Sequence, residues 1–171
     1  RKFGESTFTI AITQWLYDQV RTEMPHLRED QLLLGRIGVD TEKWTPGETP
    51  NHAVPQLIIV GRLHASKGHS VLLDALAQVP KAELTIVGDG PERSAVQAQA
   101  DLFVAPSHAE PLGVVYMEAM AMGVAAIGTA AGGVAEIIDS GVNGVLVPPK
   151  DPDALAEAIR FLIADPAHRR R

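Results

Sequence analysis

Leu57-Ile58-Ile59-Val60-Gly61 is the stretch on which the reading of the fold turns. Four consecutive apolar residues, closed by a glycine, offer no polar residue to a wet face, and the run is too short for a helix. It fits a strand buried on both sides. Moving outward toward the C-terminus, the same pattern recurs. Glu83-Leu84-Thr85-Ile86-Val87 ends at Gly88-Asp89-Gly90-Pro91, and Leu102-Phe103-Val104-Ala105 ends at Pro106-Ser107. Val124-Ala125-Ala126-Ile127 ends at Gly128, and Gly144 to Val147 makes a last run. Helical patterns fill the intervals at 69–79, 92–100, 113–122 and 134–138, and another follows at 151–164. Buried strands alternating with helices define an α/β chain, a doubly wound parallel sheet with helices on both faces, Rossmann-like in plan.

Toward the N-terminus the pattern loosens. Residues 38–55 are rich in Pro, Gly, Thr and Asn without periodicity, which marks a linker. Before it lie a strand pattern at 8–12, an amphipathic stretch at 14–24 that stops before Pro25, and a strand pattern at 31–37. Three units are therefore expected: a small remnant at 1–37, the linker at 38–55, and the main domain at 56–171. One join does not fit. The helical Ser94-Ala95-Val96-Gln97-Ala98-Gln99-Ala100 runs almost directly into the strand at Leu102, whereas a helix returning to a parallel sheet usually needs about two to six loop residues. A segment is therefore expected to be missing between 97 and 101.

Composition narrows the function. The 171 residues include no cysteine, so disulfide scaffolds, thiolate metal sites and cysteine nucleophiles are excluded together. A net charge of −6 with only 5% aromatic residues argues against a nucleic-acid surface, which needs a basic stripe and stacking platforms. No apolar run approaches the roughly 20 residues of a membrane span, and Arg1-Lys2-Phe3-Gly4-Glu5 lacks a signal-peptide pattern. The expected location is the cytoplasm, or the inner face of the membrane with peripheral contact through a missing N-terminal domain. The 15 glycines and 12 prolines imply many element ends in a short chain.

In an open α/β sheet, ligands bind beyond the carboxyl ends of the strands. Gly61-Arg62-Leu63-His64-Ala65-Ser66-Lys67-Gly68 places two cations around a loop that feeds a helix start, an arrangement suited to a diphosphate. Two solvated surface cations are the competing reading. It is not a Walker A loop. Gly88-Asp89-Gly90-Pro91 reads by itself as a tight turn. Pro106-Ser107-His108-Ala109-Glu110-Pro111-Leu112-Gly113 precedes a helix that carries Glu118 among apolar neighbours, Val114, Val115, Ala121 and Met122. A carboxylate there needs a partner, either a pair of sugar hydroxyls or an arginine. Gly128-Thr129-Ala130-Ala131-Gly132-Gly133 lets a backbone approach closely, or simply starts a helix. Asp151-Pro152-Asp153 reads as a helix cap rather than a metal site. No histidine has metal-ligand spacing, and Trp15 and Trp44 read as packing residues.

These residues together resemble the C-terminal donor-binding domain of a GT-B retaining glycosyltransferase, group 1, glycosyltransferase family 4. The resemblance rests first on Glu110 and Glu118 within Glu-Pro-Leu-Gly-Val-Val-Tyr-Met-Glu-Ala-Met-Ala-Met-Gly, then on Gly-Arg-Leu at 61–63 with Lys-Gly at 67–68. Val-Gly-Asp-Gly-Pro at 87–91, Ala-Pro-Ser at 105–107, Ser-Gly-Val-Asn-Gly at 140–144 and Val-Pro-Pro at 147–149 complete it, with Arg36-Ile37-Gly38-Val39-Asp40 and Trp44 like the interdomain hinge. It implies a hexosyltransferase acting on a UDP- or GDP-sugar, without a cofactor or metal, toward an acceptor hydroxyl of a glycan or lipid. Arg62, Lys67 and Glu110 are then the catalytic residues. Gly61, Arg62, Lys67, Gly88, Glu110, Pro111, Leu112, Gly113, Val114 and Glu118 hold the donor, with Glu118 on the ribose. The alternatives are a non-catalytic nucleotide-sugar binding module, or a GT-B epimerase or phosphorylase relative.

Overall fold

The computed structural model describes residues 7–47, 52–88 and 99–165. Its first unit is small: strand β1 (Thr9–Ala11), helix α1 (Gln14–Glu23) and strand β2 (Leu32–Leu34). β1 and β2 pair in parallel, Thr9 beside Leu32 and Ala11 beside Leu34. A 3-10 turn at Glu29–Gln31 takes the start of what the sequence suggests as a strand at 31–37, because Gln31 folds its side chain back onto the Arg28 N–H. Thr13 caps α1 by accepting from the Leu16 N–H at 3.1 Å.

The main unit is one parallel sheet built from β3 (Gln56–Val60), β4 (Glu83–Val87), β5 (Leu102–Ala105), β6 (Ala125–Thr129) and β7 (Gly144–Val147), in the order β4-β3-β5-β6-β7. Helices α2 (His69–Leu76), α3 (Val114–Ala121) and α4 (Pro152–Ala164) accompany it. Alternate residues of the strands enter two cores. Leu57, Ile59, Leu102, Val104 and Ile127 pack with α2 and α4, whereas Ile58, Val60, Phe103 and Ala126 pack with α3 and Trp44. This two-sided burial is why the strands are written as unbroken apolar runs. β4 departs from that expectation: it is an edge strand, and Ile86 remains 43% exposed. Asp151 caps α4 through the Ala154 N–H at 2.9 Å, with Pro152 at the first helical position.

Most element limits follow the sequence pattern within a few residues. The helical pattern at 134–138 is instead a 3-10 turn, Gly133–Glu136. Asn143 closes the following loop by accepting from the Asp139 N–H and donating to the Ile137 carbonyl. The expected helix at 92–100 lies outside the described residues over 92–98, and its last two residues, Gln99 and Ala100, are not helical. Of the suspect join between 97 and 101, positions 97 and 98 lie outside the described residues. No described helix is long and apolar enough to cross a membrane.

Strand order reverses between β4 on one side of β3 and β5 on the other. The loops leaving these strands diverge at that point and open a crevice, the usual ligand position in such sheets.

Candidate functional site

A cleft of about 520 Å³ occupies that crevice. Its walls include Gly61, Arg62 and Lys67 from the β3 loop, Gly88 beyond β4, Glu110, Pro111, Leu112 and Gly113 from the β5 loop, and Val114 and Glu118 on α3. Every residue selected from the sequence as a donor contact thus faces one space. The sequence reading missed Ile12, which closes the cleft from the N-terminal unit, and the apolar Val60 and Val115.

Two loops are pressed together to form the floor. Gly68, in the left-handed conformation at φ 71°, follows Lys67, and a Cβ there would stand 1.9 Å from the Pro106 carbonyl oxygen. Only glycine permits that approach. The His108 N–H donates to the Ser66 carbonyl at 2.8 Å and ties the β5 loop to the β3 loop. As a result Lys67 Nζ reaches Glu110 Oε2 at 2.5 Å, the two side chains being 26% and 13% exposed. Ser107 Oγ adds a longer contact to the same carboxylate oxygen at 3.4 Å. A lysine has three donor hydrogens, so Lys67 can keep Glu110 and still offer hydrogens to an anion. Arg62 is exposed at the rim.

The small-residue loop after β6 supports this arrangement from behind. The Gly133 N–H donates to the Glu110 carbonyl at 2.8 Å, and Gly132 bridges Glu110 in parallel fashion. A Cβ on Gly132 would lie 2.2 Å from the Glu110 carbonyl oxygen, and one on Gly133 would lie 2.2 Å from that of Pro111. The close approach foreseen for these glycines is therefore to the Glu110–Pro111 backbone, and neither lines the cleft. Thr129 Oγ1 donates to the Ser107 carbonyl from the same side.

α3 carries the remaining carboxylate. Glu118 is only 7% exposed, yet it reaches the cleft wall. Two residues earlier, Tyr116 is fully buried, stacks edge-on against Phe103 with centroids 5.3 Å apart, and donates its hydroxyl to the Ala105 carbonyl at 2.5 Å. Burial, reinforced by the Glu110 charge, pushes the Tyr116 hydroxyl well above the ordinary tyrosine range. It thus remains a neutral donor that pins α3 to the end of β5. Among the described residues, no cluster of three or more His, Cys, Asp or Glu is placed to hold a metal ion.

The chain belongs to the GT-B group 1 glycosyltransferases: the signature of the family "Glycosyl transferases group 1" matches residues 40–100 and 94–171. It is 30% identical to alpha-maltose-1-phosphate synthase of Mycolicibacterium smegmatis, over 94% of this chain and 55% of that enzyme. Among solved structures, sucrose-phosphate synthase of Thermosynechococcus elongatus superposes with a TM-score of 0.85 at 29% identity, over 94% of this chain and 50% of that one. HepE of Anabaena, solved in complex with UDP-glucose, superposes with a TM-score of 0.85 at 22% identity, over 96% and 56% of the two chains, and so shares the fold. The chain spans about half the length of the curated relatives it matches.

Proposed function

We propose that the chain is the donor-binding half of a retaining hexosyltransferase of glycosyltransferase family 4, moving a sugar from a UDP- or GDP-sugar to an acceptor hydroxyl in polysaccharide or glycolipid synthesis. One observation carries the reading: Arg62, Lys67, Glu110 and Glu118 converge on a single cleft at the reversal of strand order. Arg62 and Lys67 neutralise the departing diphosphate, a preorganised charge that acts without a metal ion. Glu110 and the backbone of 111–114 hold the transferred sugar and its phosphate, and Glu118 accepts from the ribose hydroxyls. Similarity to an alpha-maltose-1-phosphate synthase supports a role in glycan assembly. The UDP-glucose complex of HepE makes UDP-glucose the first donor to try. Within this reading, 1–37 belongs to the acceptor half, 38–55 links the halves, and 56–171 is the donor domain, working in the cytoplasm or at the inner membrane face. The family signature matching in two parts, 40–100 and 94–171, supports a segment missing between 97 and 101.

Calorimetry with UDP-, GDP- and ADP-sugars tests the donor class, and absence of binding to all three removes the reading. Glu118→Ala is expected to weaken nucleotide binding by about tenfold, as for loss of a charge-assisted hydrogen bond, a larger effect than on its folding stability. An unchanged affinity removes the ribose role. In the intact enzyme, Lys67→Ala is expected to lower kcat by about a hundredfold or more, the usual cost of losing one transition-state donor. Wild-type turnover in that variant excludes leaving-group stabilisation by Lys67.

A further inference from the structure

Glu136 stands outside the cleft, yet three groups converge on its carboxylate. Oε1 accepts from the Trp15 N–H at 2.8 Å, Oε2 accepts from the Gln14 N–H at 3.0 Å, and Arg36 Nη1 lies 2.9 Å from Oε2. Gln14 and Trp15 open α1, where helix N–H groups lack partners within the helix. Arg36 lies just beyond β2. One side chain of the β6 loop therefore holds both the helix and the strand end of the N-terminal unit. The same first turn of α1 makes a second tie: Thr13 Oγ1, completely buried, donates to the Pro111 carbonyl at 2.9 Å. Three residues before Glu136, the Gly133 N–H holds the carbonyl of Glu110.

These bonds form a closed ring. It runs from Glu136 to the start of α1, through Thr13 to Pro111, through the peptide to Glu110, and back through Gly133 to the turn that carries Glu136. α1 contributes no fully buried residue, its apolar Trp15, Leu16, Tyr17 and Val20 being half-buried, so its first turn leans on these bonds. Ile12, next to Thr13, is a wall of the cleft, and its place depends on the same anchor.

We propose that Glu136 is a positioning residue: its carboxylate clasps the first turn of α1 to the β6 loop and thereby sets the Glu110–Pro111 backbone and Ile12 at the cleft. The clasp couples the N-terminal unit to the donor side without touching the ligand. Its effect on donor affinity rests on the function proposed above, whereas its effect on the ring does not.

Hydrogen exchange by mass spectrometry on the full chain, with nucleotide-sugar calorimetry beside it, separates the two. Glu136→Gln keeps the shape and one acceptor oxygen but removes the charge. It is expected to speed exchange in 13–23 by about tenfold, the order of one lost charge-assisted hydrogen bond. Exchange across 110–116 and at Gly133 should rise with it, while β3 and β5 keep their protection. UDP-glucose affinity should fall by about threefold to tenfold, less than for loss of a direct contact. Arg36→Ala leaves both backbone bonds intact and should change exchange in 13–23 by less than about twofold, as for an exposed ion pair. Unchanged exchange at 13–23 in Glu136→Gln overturns the clasp. So does faster exchange there with 110–116 and Gly133 unaltered, and so does a uniform loss that includes β3 and β5, which marks a purely structural role. If Glu136→Gln does not fold, Glu136→Asp keeps the charge on a shorter arm and should give the same local pattern. A wild-type chain that binds no nucleotide sugar removes the donor reading and leaves the exchange comparison to decide the clasp by itself.

Discussion

At the scale of single residues, the site depends as much on missing side chains as on charged ones. Glu110 can serve a ligand only if its backbone is fixed, and the fixing groups are the N–H of Gly133 and the close passage of Gly132. Gly132 has φ 76° and ψ −145°, a region that side-chain-bearing residues avoid, and its missing Cβ would fall 2.2 Å from the Glu110 carbonyl oxygen. Gly132→Ala therefore incurs backbone strain and a clash together. It is expected to cost about 3 kcal/mol, read as a lowered urea midpoint, and to push the Glu110 loop out of place. A loss under about 0.5 kcal/mol, the level of an ordinary surface change, contradicts that account. Glu118 was legible in the sequence for a local reason, since a lone carboxylate among apolar helical neighbours stands out within one turn. Thr13 and Glu136 were not. Thr13 meets Pro111 across 98 positions, and Glu136 meets Gln14 across 122, so no local window contains both partners.

At the scale of elements, the loops that follow the strands divide the labour. The β3 and β5 loops supply the charged groups, and the β6 loop braces them and holds α1. This brace has a pH signature. Burial raises the Glu136 carboxyl, but the N–H groups of Trp15 and Gln14 and the guanidinium of Arg36 outweigh it, and the group lies below its ordinary range. A carboxyl depressed in the folded state adds stability that is fully present above its unfolded value. That stability is lost as pH falls through the lower folded value. The urea-midpoint difference between the wild type and Glu136→Gln should thus be constant from pH 7 down to about pH 5 and shrink below about pH 4, where free glutamate protonates. A difference that stays flat to pH 3, or grows on acidification, contradicts the anchored carboxylate. Arg36 is the charged side chain paired with Glu136 among the described residues.

At the scale of the whole molecule, the parallel sheet was legible because each central strand announces its two-sided burial by an unbroken apolar run. Strand order was less so. β4, an edge strand, is broken by Thr85 and starts at Glu83, a weaker run than that of β3 that the sequence reading nonetheless grouped with the central strands. The N-terminal unit shows the opposite limit, with strand-like sequences whose apolar residues remain in the open: Phe8, Ile10, Leu33 and Leu34 are each at least 41% exposed. Stability should follow this difference. Phe103 is fully buried in the central strand β5, where its ring meets Tyr116, and Phe103→Ala removes that contact and leaves a void. It should cost about 3–5 kcal/mol in urea unfolding. Leu33→Ala removes a side chain that is 44% exposed in the two-stranded sheet, and it should cost no more than about 1 kcal/mol. The two cores share the five-stranded sheet, so α2, α3 and α4 should lose protection together in Phe103→Ala. Equal costs for the two substitutions would mean that the N-terminal unit is as much a part of the cooperative core as the sheet. The clasp at Glu136 would then be one tie among many.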